Sequence, residues 1–135
     1  MAEGKVSFEL VSPDRLLLSA EVDMVVVPGS EGEFGVLPRH AHMVSTVRSG
    51  IIAVHDGGQV TERIFVAGGF AEVTPDRCTV LAEQAVAVAD IERDKVESDL
   101  KDAREDLADA EKDEERSDAQ RRIAIAEALL EAARS

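Results

Sequence analysis

All nine glycines of this 135-residue chain lie at or before Gly69 and all four prolines at or before Pro75, so residues 76–135 contain neither. Glycine and proline are the strongest punctuators of periodic structure. The chain therefore cannot be built one way throughout. Its first part is cut into short pieces, and its last part is free to run as continuous helix. Up to about residue 83, β-branched runs alternate with turn signals: residues 6–11, then Ser12-Pro13-Asp14, residues 16–20 and 22–27, then Pro28-Gly29-Ser30. After a glycine-bearing loop the pattern resumes at residues 43–47, 51–55, 60–67, 70–74 and 78–82, separated by Ser49-Gly50, Asp56-Gly57-Gly58, Gly68-Gly69 and Pro75-Asp76-Arg77. Turns this frequent predict a meandering all-β sandwich or barrel. Val6, Phe8 and Leu10 alternate with Ser7 and Glu9, the period of a strand with one buried face.

From Asp90 the composition shifts to Ala, Glu, Asp, Lys, Arg and Leu, which lose least on entering a helix. Val96, Leu100, Ala103, Leu107 and Ala110 step by four and three, and Ala119, Ile123, Ala126, Leu130 and Ala133 repeat the stepping. Each set is a narrow apolar seam. Asp113 is the expected N-cap of the second helix, with the turn at residues 111–113. Neither helix can hide its stripe alone, so the two should close face to face. The expected fold is α+β: an all-β sandwich over residues 1–86, then an antiparallel α-helical hairpin over residues 87–135.

Acidic residues outnumber basic ones 28 to 15, a net charge of −13, which repels a nucleic-acid backbone and argues against that partner. There is no Trp or Tyr to stack bases or sugars on. No stretch approaches the roughly 20 apolar residues of a membrane-spanning helix, and the first residues show no signal peptide, so any membrane association is expected to be peripheral. The lone Cys78 excludes an internal disulfide and sits in an apolar strand, which predicts a buried, inert thiol.

A search for chemistry finds little. No phosphate-binding G-x-x-x-x-G-K-[ST] string occurs, and Glu31 and Glu33 between Gly29, Gly32 and Gly35 would repel phosphate. His40 and His42 are two apart, which on a strand places them on one face, but two ligands make no metal site; a surface pair is expected, with no metal. No G-x-S-x-G elbow is present. A small hydrolase is thereby disfavoured, leaving a free-standing adaptor or chaperone with a coiled-coil arm as the alternative to the reading that follows.

The string Gly29-Ser30-Glu31-Gly32-Glu33-Phe34-Gly35-Val36-Leu37-Pro38-Arg39-His40-Ala41 resembles the epsilon subunits of bacterial F-type ATP synthases. The resemblance continues through Ser49-Gly50, Phe65-Val66-Ala67-Gly68-Gly69-Phe70-Ala71-Glu72-Val73 and Thr79-Val80-Leu81-Ala82-Glu83 into the alanine-rich hairpin, and so covers essentially the whole chain. It implies a sandwich followed by a helical hairpin, and a non-catalytic central-stalk part that binds the gamma subunit and the c-ring. Such a part couples proton flow to ATP synthesis, peripheral to the cytoplasmic face of the bacterial inner membrane. By position, Glu31, Glu33 and His40 match the loop facing the c-ring, a loop that here also carries Arg39 and His42, and Ser12 matches a position near gamma. Members usually read Pro-Gly-His-Ala-Pro where this sequence has Pro38-Arg39-His40-Ala41-His42. Arg39 in the glycine position implies that no positive φ is required there and adds a cation to the rim, while His42 replaces a rigid proline. Members that bind regulatory ATP open the first helix with Ile or Leu, Asp, two variable residues, Arg and Ala. This sequence has Ile91, Glu92, Arg93, Asp94, Lys95 and Val96 instead, and Lys95 lacks the planar fork of arginine, so no ATP is expected as cofactor. In the family the hairpin can reach the catalytic beta subunits through basic residues. Arg116, Arg121, Arg122 and Arg134 are the candidates here, diluted by neighbouring acids, so a modest regulatory role is expected.

Overall fold

A computed structural model of the protein describes residues 4–134. They form two compact units, Met1–Ala87 and Val88–Ser135. The first holds β1 (Val6–Val11), β2 (Leu16–Val22), β3 (Met24–Gly29), β4 (Gly32–Val36), β5 (Met43–Thr46), β6 (Gly50–Asp56), β7 (Gln59–Val73) and β8 (Arg77–Ala87).

The sandwich is one hydrogen-bonded sheet folded over on itself, in the order β2-β1-β8-β7-β6-β3-β4, with β5 also on β7. The fold-over is carried by the long β7–β8 hairpin. The first part of β7, through Val66, pairs with β6, and its last part, Phe70 to Val73, pairs with β5. β8 likewise pairs with β1 over Arg77 to Leu81, in parallel, and its last residues continue alongside the first part of β7. One layer is thus β2-β1-β8-β7-β5 and the other β8-β7-β6-β3-β4. Both strands turn the corner at Gly68 and Gly69, whose φ values are 73° and 120°. A Cβ at Gly69 would sit 1.9 Å from the Leu81 carbonyl oxygen, so the corner admits no side chain.

The two inner faces meet in a core that includes Val6, Phe8, Leu10, Val25, Val27, Ile52, Val54, Val66, Val73 and Val80, each at most 1% exposed. β1 alternates buried and half-buried residue by residue, as its period of two requires. Among the described residues no polar or charged side chain is buried. Lys5 ties β1 to two turns, its Nζ 2.7 Å from Asp23 Oδ1 and 2.6 Å from Asp56 Oδ1, while Asp23 Oδ2 accepts the Gly57 amide at 2.9 Å. These hydrogen bonds, first to Asp23 and then to Asp56, push the Lys5 ammonium up to about 12, and Lys5 in turn holds the Asp23 carboxyl below its ordinary value.

Three strand readings are corrected. The loop after Pro28-Gly29-Ser30 contains β4, which its glycines and glutamates disguised; pairing with β3 makes it a strand. Residues 60–67 and 70–74 are one strand, because the glycine pair bends the ladder without ending it. The topology is not a plain meander, since β1 pairs with β8 as well as β2.

The second unit has a 3-10 turn at Val88–Asp90, α1 (Arg93–Asp109) and α2 (Asp113–Arg134). Val96, Leu100 and Ala126 form its buried cluster, flanked by Ile91, Ile123, Leu129 and Leu130, with Ala103 and Ala119 also buried along the two seams. The N-cap of α2 is Lys112 rather than Asp113: its carbonyl accepts the Arg116 amide at 3.0 Å, and Glu115 Oε1 reaches back to the Lys112 amide at 3.0 Å. Glu115 thereby satisfies an end that Lys112, with no side-chain acceptor, leaves open.

Candidate functional site

The strand registers place one exposed apolar row across the outer face of the first layer. Val11 on β1 stands opposite Leu16 on β2 and Leu81 on β8, and Leu81 stands opposite Phe70 on β7. Val11, Leu81 and Phe70 have the parity opposite to the core, since Leu10, Val80 and Ala71 point in, while Leu16 meets the half-buried Val11 across an irregularity in the β1–β2 register. Leu16, Leu81 and Phe70 are 53%, 46% and 54% exposed, and Val44 on β5, diagonal to Phe70, is 64% exposed. Strands lie about 4.8 Å apart, so the row from β2 to β7 is about 14 Å wide. A contiguous apolar row on a closed sandwich marks a place where another macromolecule sits. Sequence reasoning missed it, although the signal was there: in Phe70-Ala71-Glu72-Val73 and Val80-Leu81-Ala82-Glu83 both alternating sets contain an apolar residue. Ser12 follows directly on Val11 at the edge of this row, where its amide donates to the Arg15 carbonyl at 2.9 Å.

Glu31 lies at the tip of the β3–β4 turn, and Glu33 is the second residue of β4, opposite Pro28; both are exposed. This turn is clamped to the β5–β6 connection. The Ser30 amide donates to the Thr46 carbonyl at 3.0 Å, Thr46 Oγ1 donates to Ser30 Oγ at 2.8 Å, the Arg48 amide to the Pro28 carbonyl at 2.9 Å and Arg48 Nε to the Gly29 carbonyl at 3.1 Å. Arg39, His40 and His42 lie elsewhere. Gly32 pairs with Gly29 and Val36 with Val25, so β4 runs along the whole of β3, about 14 Å, before those three residues begin. The five loop residues thus fall in two groups at opposite ends of the sandwich.

Arg39 corrects the expectation drawn from its identity: its φ is 67°, in the left-handed region. The His40 amide donates to the Leu37 carbonyl at 3.2 Å, closing a four-residue turn with Pro38 second and Arg39 third, the arrangement of a type II turn. The third position of that turn demands positive φ, and the Arg39 amide, bonded to the Pro75 carbonyl at 2.7 Å, helps hold it there. Nor do His40 and His42 share a strand face, because both lie in the connection before β5. His40 Nδ1 is 2.7 Å from the Ala41 carbonyl oxygen, and His42 Nε2 is 3.7 Å from Glu72 Oε2. Among the described residues no group of three or more His, Cys, Asp or Glu is arranged to hold a metal ion. Cys78 is fully buried, and desolvation pushes its thiol up to about 12.

In the second unit, Ile91 packs against the hairpin cluster and Val96 is buried in it, while Glu92 caps α1 without a side-chain bond. Lys95 Nζ is 3.7 Å from Asp99 Oδ2. The four hairpin arginines are all paired within their own unit. Arg116 Nη1 is 2.8 Å from Asp113 Oδ1, Arg121 Nη2 2.8 Å from Asp118 Oδ1, Arg122 Nη2 2.7 Å from Asp106 Oδ2, and Arg134 Nη1 3.7 Å from Glu131 Oε2. Arg121, and then Arg122, hold the Asp118 carboxyl below its ordinary value.

Residues 5–88 match the family model of the beta-sandwich domain of the ATP synthase delta/epsilon chain, and residues 92–135 match that of the C-terminal domain of the ATP synthase epsilon chain. The protein is 53% identical over 132 residues to the ATP synthase epsilon chain of Paramagnetospirillum magneticum and 54% identical over 132 residues to that of Rhodospirillum rubrum, each alignment covering 98% of both sequences. It also resembles a subunit in the structure of the Euglena gracilis mitochondrial ATP synthase (OSCP/F1/c-ring), with a TM-score of 0.81 and 26% identity, covering 100% of this protein and 84% of that one. A subunit of the Tetrahymena thermophila mitochondrial ATP synthase central stalk and c-ring shares the fold, with a TM-score of 0.66 and 12% identity. The apolar row, the clamped acidic turn and the alanine-seamed hairpin are therefore features of a protein that belongs to the ATP synthase epsilon family.

Proposed function

We propose that this protein is the non-catalytic rotor coupler of an F-type ATP synthase, seated on the gamma subunit through its apolar row and on the c-ring through its β3–β4 turn. The observation that carries the reading is the row Leu16–Val11–Leu81–Phe70, a hydrophobic anchor on a sandwich whose core holds no buried polar side chain among the described residues. Torque passes between partners only if the part between them does not deform, and a close-packed two-layer core supplies that stiffness. Ser12, beside the row, belongs to the gamma-facing edge. Glu31 and Glu33 offer charged acceptors on a turn held by four hydrogen bonds, suited to charge-assisted contacts that fix register on a basic or amide-bearing ring loop. Arg39, His40 and His42, a strand's length away, belong to a different contact from Glu31, which narrows the assignment the resemblance gave to all five.

The protein works peripherally, on the cytoplasmic face of the bacterial inner membrane; among its described residues no helix is long and apolar enough to cross one. The hairpin binds no regulatory ATP, a reading supported by Val96 being buried in the seam and Lys95 lying beside Asp99. Micromolar affinity on titrating ATP into the protein would contradict this. As a brake on the catalytic subunits the hairpin is weak, because its arginines already have carboxylate partners; removing residues 90–135 should change ATP hydrolysis by the complex less than twofold. The function as a whole is tested by add-back. A complex depleted of this subunit should regain proton-driven ATP synthesis when it is restored, and the subunit alone should hydrolyse no ATP. Synthesis indifferent to its presence would overturn the proposal.

A further inference from the structure

The apolar row is one band of a face that changes character along its strands. Two residues on, about 7 Å away, the same registers bring Glu9 on β1, Thr79 on β8 and Glu72 on β7 side by side, with Ser19 on β2 and Val44 on β5 at the two ends. Glu9 and Glu72 share the outward parity of Val11 and Phe70 and stand two strand spacings, about 10 Å, apart. Two basic side chains border this second row. Arg77 Nε is 3.8 Å from Glu9 Oε1, and His42 Nε2 is 3.7 Å from Glu72 Oε2. Both contacts are too long for hydrogen bonds, and among the described residues neither carboxylate accepts one, so each keeps its acceptor positions open. On the opposite side of the apolar row the acid is Glu83, at the sheet corner, where its carboxylate is folded against Gly68.

An apolar row alone grips an apolar strip in either direction. Two carboxylates along one side of it break that symmetry, because a partner that covered them without supplying donors would leave two charges desolvated and unpaired. Building on the reading that gamma sits on this row, we infer that Glu9 and Glu72 set its register and direction, by receiving basic side chains that gamma carries about 7 Å from its own apolar contact. Exposed ion pairs are worth little, but these close beneath the partner, out of water, and so act on which surface fits and which way round.

The affinity of the full-length protein for purified gamma, at about 50 and about 300 mM salt, tests this. Glu9→Gln and Glu72→Gln should each weaken binding about tenfold while strand amide exchange is unchanged, and the double variant should lose most of the salt dependence. Glu83→Gln, the same change of charge on the other side of the row, should weaken it by less than about twofold. If Phe70→Asp abolishes binding while Glu9→Gln and Glu72→Gln match the wild type, or if Glu83→Gln matches their effect, the row remains the seat and the carboxylates do not set its register. If Phe70→Asp also binds normally, the seat itself is wrong and this inference falls with it.

Discussion

The two units of this protein are stabilised by different means. The sandwich joins strands distant in sequence, β1 with β8 and β5 with β7, around Val, Leu, Ile and Phe side chains that are almost wholly buried. The hairpin joins two neighbouring helices along a mostly alanine seam, with charge pairs at its flanks. Burial of large apolar side chains is worth roughly 1.5–3 kcal/mol each and is not screened by salt, whereas exposed ion pairs are worth about 0–1 kcal/mol and are screened by it. One unit is held by apolar burial, and the other relies more on charge pairs at its surface.

The largest expected effect is at the corner of the sandwich. Gly69→Ala forces a Cβ against the Leu81 carbonyl at a position with φ 120°, and should cost about 4 kcal/mol or more, seen as a collapse of the urea midpoint. Retention of wild-type stability would mean that the fold-over is not built as described. Next comes Leu100→Ala, expected to cost the hairpin about 2 kcal/mol. Exchange should quicken in α1 and α2 while the strand amides keep their protection; equal loss in both units would erase the contrast between them.

Smaller effects sharpen the picture of the sandwich. Cys78 is held as a neutral thiol by burial, its value raised from 9.0 to about 12. Between those limits the folded state binds the proton that the unfolded state releases, so the stability this thiol contributes is intact below pH 9 and declines as pH rises toward 12. By pH 10 the wild type should have lost about 1.4 kcal/mol more than Cys78→Ala, measured by urea unfolding at pH 8 and 10. Arg39→Gly should stabilise by about 1 kcal/mol, because glycine adopts φ 67° without the Cβ clash that arginine suffers. A loss of stability on that change would show that the guanidinium and stem of Arg39 add more than its backbone strain removes.

Much of this architecture was legible in the sequence because its signals are local. The last glycine and proline fall just before the final strand, β8, beyond which the chain is helical, and the seams Val96–Leu100–Ala103 and Ala119–Ile123–Ala126 mark the facing sides of the hairpin. What escaped depends on pairing. β4 reads as a loop because Gly32, Glu33 and Gly35 have no strand preference of their own, and β3 imposes it. The φ of Arg39 is set by a turn and by Pro75, far away in sequence. The apolar row is visible only once Val11, Leu81 and Phe70 are known to lie side by side, which no single strand discloses. For the same reason, one continuous motif string reads as one contact loop, although β4 divides it between two ends of the sandwich.

The central claim is that the apolar row is the seat of the gamma subunit, and the most direct measurement is the affinity of the intact protein for purified gamma. Phe70 is exposed, so Phe70→Asp should leave the fold and its exchange pattern intact while weakening binding at least 100-fold, about 2.7 kcal/mol, whereas Glu33→Gln, away from the row, should change it less than threefold. Undiminished binding of gamma by a correctly folded Phe70→Asp variant would contradict the account.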